Sequence, residues 1–237
     1  MSIKSTCTFI TGVPYSGKSI PAGVLHHLGV YMGEFKFTPD PIYNRHDYYE
    51  SAFMADMNGA ITGTRSLPGA IETIYKIFNN EFQYDYDYIG KNSLKLVFSE
   101  YMRRGKYNWG IKDPRLCLPN LLPSLIDIVR EFSDVQLIIC ERDFDEILQC
   151  NIDEMAGHNM PKKYTYDYLY GYVTGWKYLS DGIYNNFSGN KMKIDFREPI
   201  DNYKLFVKKM ADFVQLPVNR NAEIFLEKRL ENINNGN

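Results

Sequence analysis

One segment near the amino terminus constrains the fold more than any other. An apolar strand at residues 6–11 runs directly into Gly12-Val13-Pro14-Tyr15-Ser16-Gly17-Lys18-Ser19, which has the complete spacing G-x-x-x-x-G-K-S/T. Glycines allow a tight turn, so that the N–H groups of the loop and of the next helix point at one position, where the helix dipole adds positive potential. Lys18 can reach an outer phosphate, and Ser19 a metal or another phosphate oxygen. The segment therefore predicts a phosphate-binding loop between a buried strand and a helix.

Short apolar strands alternate with amphipathic helices along the rest of the chain. Strands are predicted at residues 6–11, 109–112, 135–140 and 191–196. Helices are predicted at residues 18–28, 67–78, 91–104, 119–132, 143–155, 166–187 and 199–214, with a final helix from Glu223. In the helix at 199–214, the helical period assigns four side chains to the core-facing stripe, namely Leu205, Phe206, Met210 and Phe213.

This alternation is typical of an α/β protein. Helices on both faces of a mainly parallel central sheet give three layers, α/β/α, and the phosphate loop indicates the P-loop nucleotide-binding type. The 237 residues, 44% of them hydrophobic, are enough for one α/β domain with a full core and too few for two large ones. We therefore expect a single domain over residues 1–237, with roughly the last five residues frayed.

Composition and charge exclude several classes of function. The net charge of −2 argues against a general nucleic-acid binder, which is usually strongly basic. The sequence has no apolar run of about 18 residues that would span a membrane, and Met1 leads almost directly into the first strand, which leaves no room for a signal peptide. We therefore expect a cytoplasmic protein with neither a nucleic-acid partner nor a membrane span.

The cysteines are scattered along the chain, at Cys7, Cys117, Cys140 and Cys150. Because no C-x-x-C pair occurs, a zinc site is not expected. Cys7 and Cys140 lie in apolar strand-like runs, so both are predicted to be buried thiols.

Polar segments follow each of the predicted strands, where ligands bind to parallel sheets of this kind. These segments are the phosphate loop, Lys112-Asp113-Pro114-Arg115, Glu141-Arg142-Asp143 and Asp195-Phe196-Arg197. The loop alone would indicate a magnesium-dependent small-molecule or nucleotide kinase, which needs an acidic side chain at a strand end to hold the metal. Both Asp113 and Glu141 have a basic neighbour in the sequence, so neither is a clean candidate for that acid.

The order of the segments resembles the sulfotransferase family, in its bacterial and phage type. The first matching segment comprises the loop and Leu25-His26-His27-Leu28-Gly29-Val30-Tyr31-Met32-Gly33-Glu34; the second is Trp109-Gly110-Ile111-Lys112-Asp113-Pro114-Arg115-Leu116-Cys117-Leu118-Pro119. The third is an apolar strand followed by Arg142 and, eight residues later, by Cys150, where the family has serine. The strand and helix at residues 194–216 resemble the closing unit of the family, so the resemblance covers almost the whole chain.

Two departures from the family pattern lie in the loop itself. Family members carry a basic residue where this chain has Tyr15 and threonine where it has Lys18. The positive charge thus stands at position 18 instead of position 15. The loop resembles that of a kinase, whereas the other segments resemble the sulfotransferase family.

The resemblance implies a sulfotransferase that moves a sulfuryl group from 3′-phosphoadenosine-5′-phosphosulfate (PAPS) to a hydroxyl group of a small molecule or glycan, for example a carbohydrate, without a metal. The residues implied to hold the phosphosulfate are Pro14, Tyr15, Ser16, Gly17, Lys18 and Ser19, with Lys18 also stabilising the transferred group. Arg142 and Cys150 would hold the 3′-phosphate, and Glu34 would be the catalytic base, with His46 and Glu50 as alternatives.

Other interpretations of the same residues stay open at this point. A magnesium-dependent kinase and an inactive nucleotide-binding module are the alternative functions. At the level of single residues, Arg142 is alternatively a surface arginine paired with Glu141 or Asp145. Asp113 and Arg115 either pair and fix the loop beside the site or contact the substrate.

Overall fold

A parallel β-sheet forms the centre of the molecule. The computed structural model describes residues 5–33, 49, 91–119, 121–157 and 165–234. Its strands are β1 (Ser5–Gly12), β2 (Asn108–Lys112), β3 (Ser133–Glu141) and β4 (Asn190–Asp195). The order across the sheet is β2-β1-β3-β4, and every neighbouring pair is parallel. The carboxyl ends of all these strands therefore meet at one edge of the sheet.

Helices follow the strands in the predicted order. They are α1 (Ser19–Leu28), α2 (Lys91–Arg103), α3 (Leu121–Val129), α4 (Phe144–Gly157), α5 (Tyr166–Asn186), α6 (Glu198–Asp201), α7 (Tyr203–Val214) and α8 (Arg220–Asn234), with a 3-10 helix at Pro114–Cys117. The helix predicted at 67–78 lies outside the described residues. Within the described part of the chain, no helix is long and apolar enough to cross a bilayer.

Helices cover both faces of the sheet. Side chains alternate along the strands, so that Phe9 and Leu137 enter one apolar cluster, whereas Ile10 and Ile138 enter the other. The first cluster includes residues of α2, α3, α4 and α5, and the second includes residues of α1, α7 and α8. The predicted three-layer α/β/α fold with a parallel sheet is confirmed. Because both faces are covered, the strands are apolar on both sides rather than on one.

The helix predicted at 199–214 is wrong in one respect, because the chain breaks at Asn202. This residue has an extended φ of −154°, and its side-chain oxygen accepts a hydrogen bond from the backbone N–H of Leu205 at 3.1 Å. The cap starts α7 anew, as asparagine does at many helix starts. Leu205, predicted to face the core, is 63% exposed, whereas Phe206 and Met210 are buried as predicted.

The burial of the cysteines follows from their places in the strands. Cys7 in β1 and Cys140 in β3 are buried, as predicted, and Cys117 in the 3-10 helix is buried as well. Cys150 on α4 is only partly buried.

Candidate functional site

Three of the polar segments meet at the carboxyl edge of the sheet. The register pairs Gly12, at the start of the loop, with Cys140 of β3, and it pairs Glu141 with Asp195 of β4. Residues 12–19, 141–143 and 195–197 therefore follow three adjacent strands. In the sequence, the first and second segments lie 122 positions apart (19 to 141) and the second and third lie 52 apart (143 to 195). The parallel sheet brings all of them together.

Gly17 gives the loop its tight shape. Its φ of +82° lies in the left-handed region, and a Cβ atom there would stand 2.4 Å from Cδ2 of Phe196. A residue with a side chain would thus be both strained and in collision with the ring. Tyr15 also has a left-handed φ, +67°, although it is not a glycine. Backbone strain of this kind persists where the surrounding structure holds it, and it is frequent at ligand sites.

The ammonium group of Lys18 lies inside the loop. The side chain is 5% exposed, and Nζ donates hydrogen bonds to the carbonyl oxygen of Val13 at 2.5 Å and to Oγ of Ser16 at 3.4 Å. Lys18 also takes the N-cap position of α1, without a side-chain cap on the first turn. A positive charge and the amino end of a helix thus coincide, which favours an anion at this position.

A second buried lysine lies on the neighbouring strand β2. Lys112 ends β2, is 4% exposed and stands in register with Ile10 of β1. Burial raises the pKa of the Cys140 thiol to about 12, and the charges of Lys18 and Lys112 oppose that rise. Both cations therefore act on the same buried thiol at the head of the sheet. The sequence indicated the segment of Lys112, but it did not single out the lysine as a site residue.

Asp113 and Arg115 form the predicted ion pair beside Lys112. The guanidinium donates from Nη2 to Oδ2 of Asp113 at 2.7 Å and from Nε to Oδ1 at 2.8 Å, and the carboxylate is buried. The hydroxyl of Thr11 donates to the carbonyl oxygen of Asp113 at 2.9 Å, which ties the pair to β1. The pair therefore fixes the backbone next to the loop.

Arg142 connects β3 to the phosphate loop. Its Nη1 contacts the carbonyl oxygen of Tyr15 at 3.4 Å and Sγ of Cys150 at 3.6 Å. The two residues that the sequence assigned to a second phosphate position thus lie together, next to the loop. The alternative pairing with Glu141 or Asp145 is wrong, because Nε donates to Oε2 of Glu146 at 2.7 Å.

Glu146 is shared between two arginines. Its second oxygen accepts a hydrogen bond from Nη2 of Arg197. The hydrogen bonds from Arg142 and Arg197 hold the pKa of the Glu146 carboxyl below its usual range, so this side chain is ionised at neutral pH. The sequence placed Phe196 and Arg197 in a polar segment after a strand but gave them no specific role, and it did not single out Glu146. A signal existed for Glu146, since it stands four residues after Arg142 at the start of a predicted helix, a spacing that allows an acid–base pair.

These residues line a cavity at the edge of the sheet. Its volume is about 560 Å³, and its lining includes Val13, Arg142, Glu146, Phe196 and Arg197. A cavity of this size is within the range of small-molecule and cofactor sites. The cavity therefore joins the loop to the second cationic position.

The structure describes some of the predicted site residues and not others. The loop residues Pro14, Tyr15, Ser16, Gly17 and Lys18 lie between β1 and α1, and Ser19 is the first residue of α1. Glu34, with its alternatives His46 and Glu50, lies outside the described residues. Among the residues that are described, no group of three or more His, Cys, Asp and Glu side chains could hold a metal ion.

Comparison with known proteins gives matches among solved structures alone. No protein-family model and no curated protein match the sequence. The sulfotransferase domain of the Synechococcus PCC 7002 olefin synthase aligns with a TM-score of 0.56 and 11% identity, over 92% of this chain and 76% of that one. Sulfotransferase STF1 from Mycobacterium tuberculosis H37Rv aligns with a TM-score of 0.53 and 11% identity, over 95% and 72% of the two chains. The sulfotransferase domain of the curacin biosynthetic pathway aligns with a TM-score of 0.52 and 8% identity, over 92% and 76%.

Proposed function

We propose that this protein, which has the fold of bacterial sulfotransferase domains, transfers a sulfuryl group from PAPS to a hydroxyl group of a small molecule or glycan. One observation carries the proposal: two cationic positions lie side by side at the edge of the sheet. Lys18 occupies the loop, and Arg142 contacts both the loop carbonyl of Tyr15 and the thiol of Cys150. PAPS carries an anion at each end of its ribose, so it matches two adjacent cationic positions.

The loop would bind the 5′-phosphosulfate. The backbone N–H groups of Gly17 to Ser19 and the ammonium of Lys18 would supply donors around one concave position, whereas the N–H of Ser16 donates to the carbonyl oxygen of Val13 at 3.1 Å. Arg142 would bind the 3′-phosphate through charge-assisted hydrogen bonds, with Cys150 in place of the serine of the resembling family. A thiol is a weaker donor than a hydroxyl, so the guanidinium supplies most of the attraction at this second position.

Transfer needs stabilisation of negative charge on the oxygens of the moving group. The acceptor oxygen bonds to sulfur as the bond from sulfur to the phosphate oxygen breaks, and adenosine 3′,5′-bisphosphate leaves. Lys18 and Lys112, both buried, would stabilise the charge that develops on the leaving phosphate oxygen. The acceptor proton would pass to a general base, for which Glu34 is proposed, with His46 and Glu50 as alternatives. No metal ion takes part in this scheme.

A magnesium-dependent kinase is the second candidate, because the loop has the complete G-x-x-x-x-G-K-S pattern. Such an enzyme needs an acid at a strand end for the metal. Asp113 is held by Arg115, and Glu141 accepts a hydrogen bond from Lys193 at 2.6 Å. Both carboxylates thus have cationic partners, which makes the kinase less favoured than the sulfotransferase.

Calorimetry with two nucleotides separates these candidates. We expect adenosine 3′,5′-bisphosphate to bind without magnesium and more tightly than ATP. Radiolabelled PAPS should then transfer sulfate to members of a panel of hydroxyl acceptors, and Glu34→Gln should slow transfer while leaving bisphosphate affinity unchanged.

Two other results of these experiments would contradict the proposal. Magnesium-dependent ATP turnover together with no bisphosphate binding would replace the proposal with the kinase. Tight bisphosphate binding with no transfer to any acceptor would indicate a nucleotide-binding module without activity.

A further inference from the structure

A single carboxylate holds two guanidinium groups next to each other at the cavity. Glu146 accepts from Nε of Arg142 through one oxygen, at 2.7 Å, and from Nη2 of Arg197 through the other. Because both oxygens belong to one carboxylate, the two arginines, which are 55 positions apart in the sequence (142 to 197), lie side by side. The three side chains together carry one net positive charge.

Within the described part of the chain, each arginine keeps donors that make no hydrogen bond. Arg142 uses Nε and Nη1, and its Nη2 makes no hydrogen bond to the described residues. Arg197 uses only Nη2 of its guanidinium, so Nε and Nη1 make none within the same part of the chain. A planar guanidinium with free edges is suited to the oxygens of a phosphate group.

The backbone of Arg197 is fixed against the phosphate loop. Its N–H donates to Oδ1 of Asp195 at 2.7 Å, and the N–H of Phe196 donates to the carbonyl oxygen of Glu141 at 2.9 Å. The ring of Phe196 then packs between Gly17 and the guanidinium of Arg142, whose carbon lies 4.3 Å from the ring centre. Arg197, the next residue, therefore lines the same cavity as Arg142, from the carboxyl end of the adjacent strand β4.

We infer that Arg197 is a second arginine of the nucleotide site and binds the 3′-phosphate together with Arg142. The inference rests on the proposed function. A phosphate monoester carries about −1.5 to −2 charges at neutral pH, which a single guanidinium does not balance. Two guanidinium groups on one phosphate offer donors to more of its oxygens and raise the preference for a 3′-phosphorylated nucleotide over a 5′-monophosphate.

The test compares adenosine 3′,5′-bisphosphate with adenosine 5′-monophosphate by calorimetry. Arg197→Gln should weaken bisphosphate binding about tenfold, as expected for the loss of a charge-assisted hydrogen bond, and should change monophosphate binding less than about twofold. Lys208→Gln is the matched control, because Lys208 has the same 63% side-chain exposure and also pairs with a carboxylate, that of Asp212. This control should change neither affinity.

The possible results test the role of Arg197 separately from the proposed sulfotransferase function. Equal weakening of both nucleotides by Arg197→Gln, or no weakening of either, would overturn the inference while the unaltered protein still binds the bisphosphate. Failure of the unaltered protein to bind the bisphosphate would overturn the proposed function and, with it, the role of Arg197. Arg197 is largely exposed, so circular dichroism should report the same fold in the variant.

Discussion

Lys18 has two connected roles at the scale of single residues. Its ammonium closes the loop through the carbonyl of Val13 and places a buried positive charge where the phosphosulfate would bind. We expect Lys18→Met, which keeps the length of the side chain and removes its charge, to weaken bisphosphate binding at least about tenfold and to slow transfer by about 10²–10³. Calorimetry and initial rates measure these effects.

The matched control for Lys18 is Lys208→Met, which removes an exposed lysine on α7. This variant should bind the bisphosphate like the unaltered protein. If Lys18→Met kept full affinity and rate, the loop would not be the site of the transferred group.

Cys150 differs from the other cysteines in its accessibility. Burial raises the pKa of the Cys7, Cys117 and Cys140 thiols, whereas Cys150 is only partly buried and lies beside Arg142. We expect a disulfide reagent at pH 8 to modify one thiol quickly in the folded protein, because the buried thiols stay protonated and shielded. Cys150→Ser should abolish this fast phase, and the bisphosphate should slow it in the unaltered protein. Fast modification that the bisphosphate does not affect would place the second phosphate elsewhere.

The site residues divide into those that the sequence indicated and those that it did not. The loop residues were visible because glycine spacing reports directly on a turn that binds phosphate, and Arg142 with Cys150 followed from the resemblance. The sequence also placed Arg197 in a polar segment after a strand, but the contact between Glu146 and Arg197 could not be predicted, because it depends on how α4 and the turn after β4 approach each other. A contact between side chains on different elements is a property of packing, which a local pattern does not contain.

The phosphate loop behaves as one element with the turn that follows β4, since Phe196 covers Gly17. We expect Gly17→Ala to lower the free energy of unfolding by about 1–2 kcal/mol, because the left-handed φ and the ring contact both oppose a Cβ atom. The displaced ring should also disturb Arg142, which stacks on it, and lower bisphosphate affinity at least about tenfold. Denaturant unfolding and calorimetry measure the two effects.

Gly29 offers a control for the conformational part of that change. It follows α1 with a φ of +108°, and among the described residues other than its chain neighbours, no atom lies within 4 Å of its Cβ position. Gly29→Ala should therefore lower stability by about 1 kcal/mol and leave bisphosphate affinity unchanged. Equal affinities of the two variants would mean that the packing of Phe196 on the loop does not matter for binding.

The presence of a strand or helix was easier to predict from the sequence than the residues at which it begins and ends. β1 and β3 were visible as apolar runs, since a strand covered on both faces shows no alternation of polar and apolar residues. The break at Asn202 was missed because the apolar period continues on both sides of it, and only the side-chain hydrogen bond to Leu205 decides that a new helix starts. Leu205 was misplaced for the same reason, since the new start rotates the stripe that faces the core.

The parallel sheet places distant parts of the chain around one cavity in the whole molecule. The loop follows β1, Arg142 follows β3 and Arg197 follows β4, which are adjacent strands. The sequence could predict the common edge, because parallel strands in α/β folds share one. It could not predict which strands would be neighbours, and this order decides which side chains meet.

A ligand that binds all these segments should stabilise the protein as a whole. A nucleotide that contacts the loop, Arg142 and Arg197 joins residues after three strands, and binding to the folded state alone adds about 2.7 kcal/mol at a free concentration about 100-fold above Kd. For a chain of this length, that corresponds to a rise in Tm of about 5–10 °C. We expect adenosine 3′,5′-bisphosphate to give this rise in a thermal unfolding scan without magnesium, and Lys18→Met to lose most of it at the same ligand concentration. A rise of equal size with magnesium and ATP, and none with the bisphosphate, would mean that this edge of the sheet holds a triphosphate.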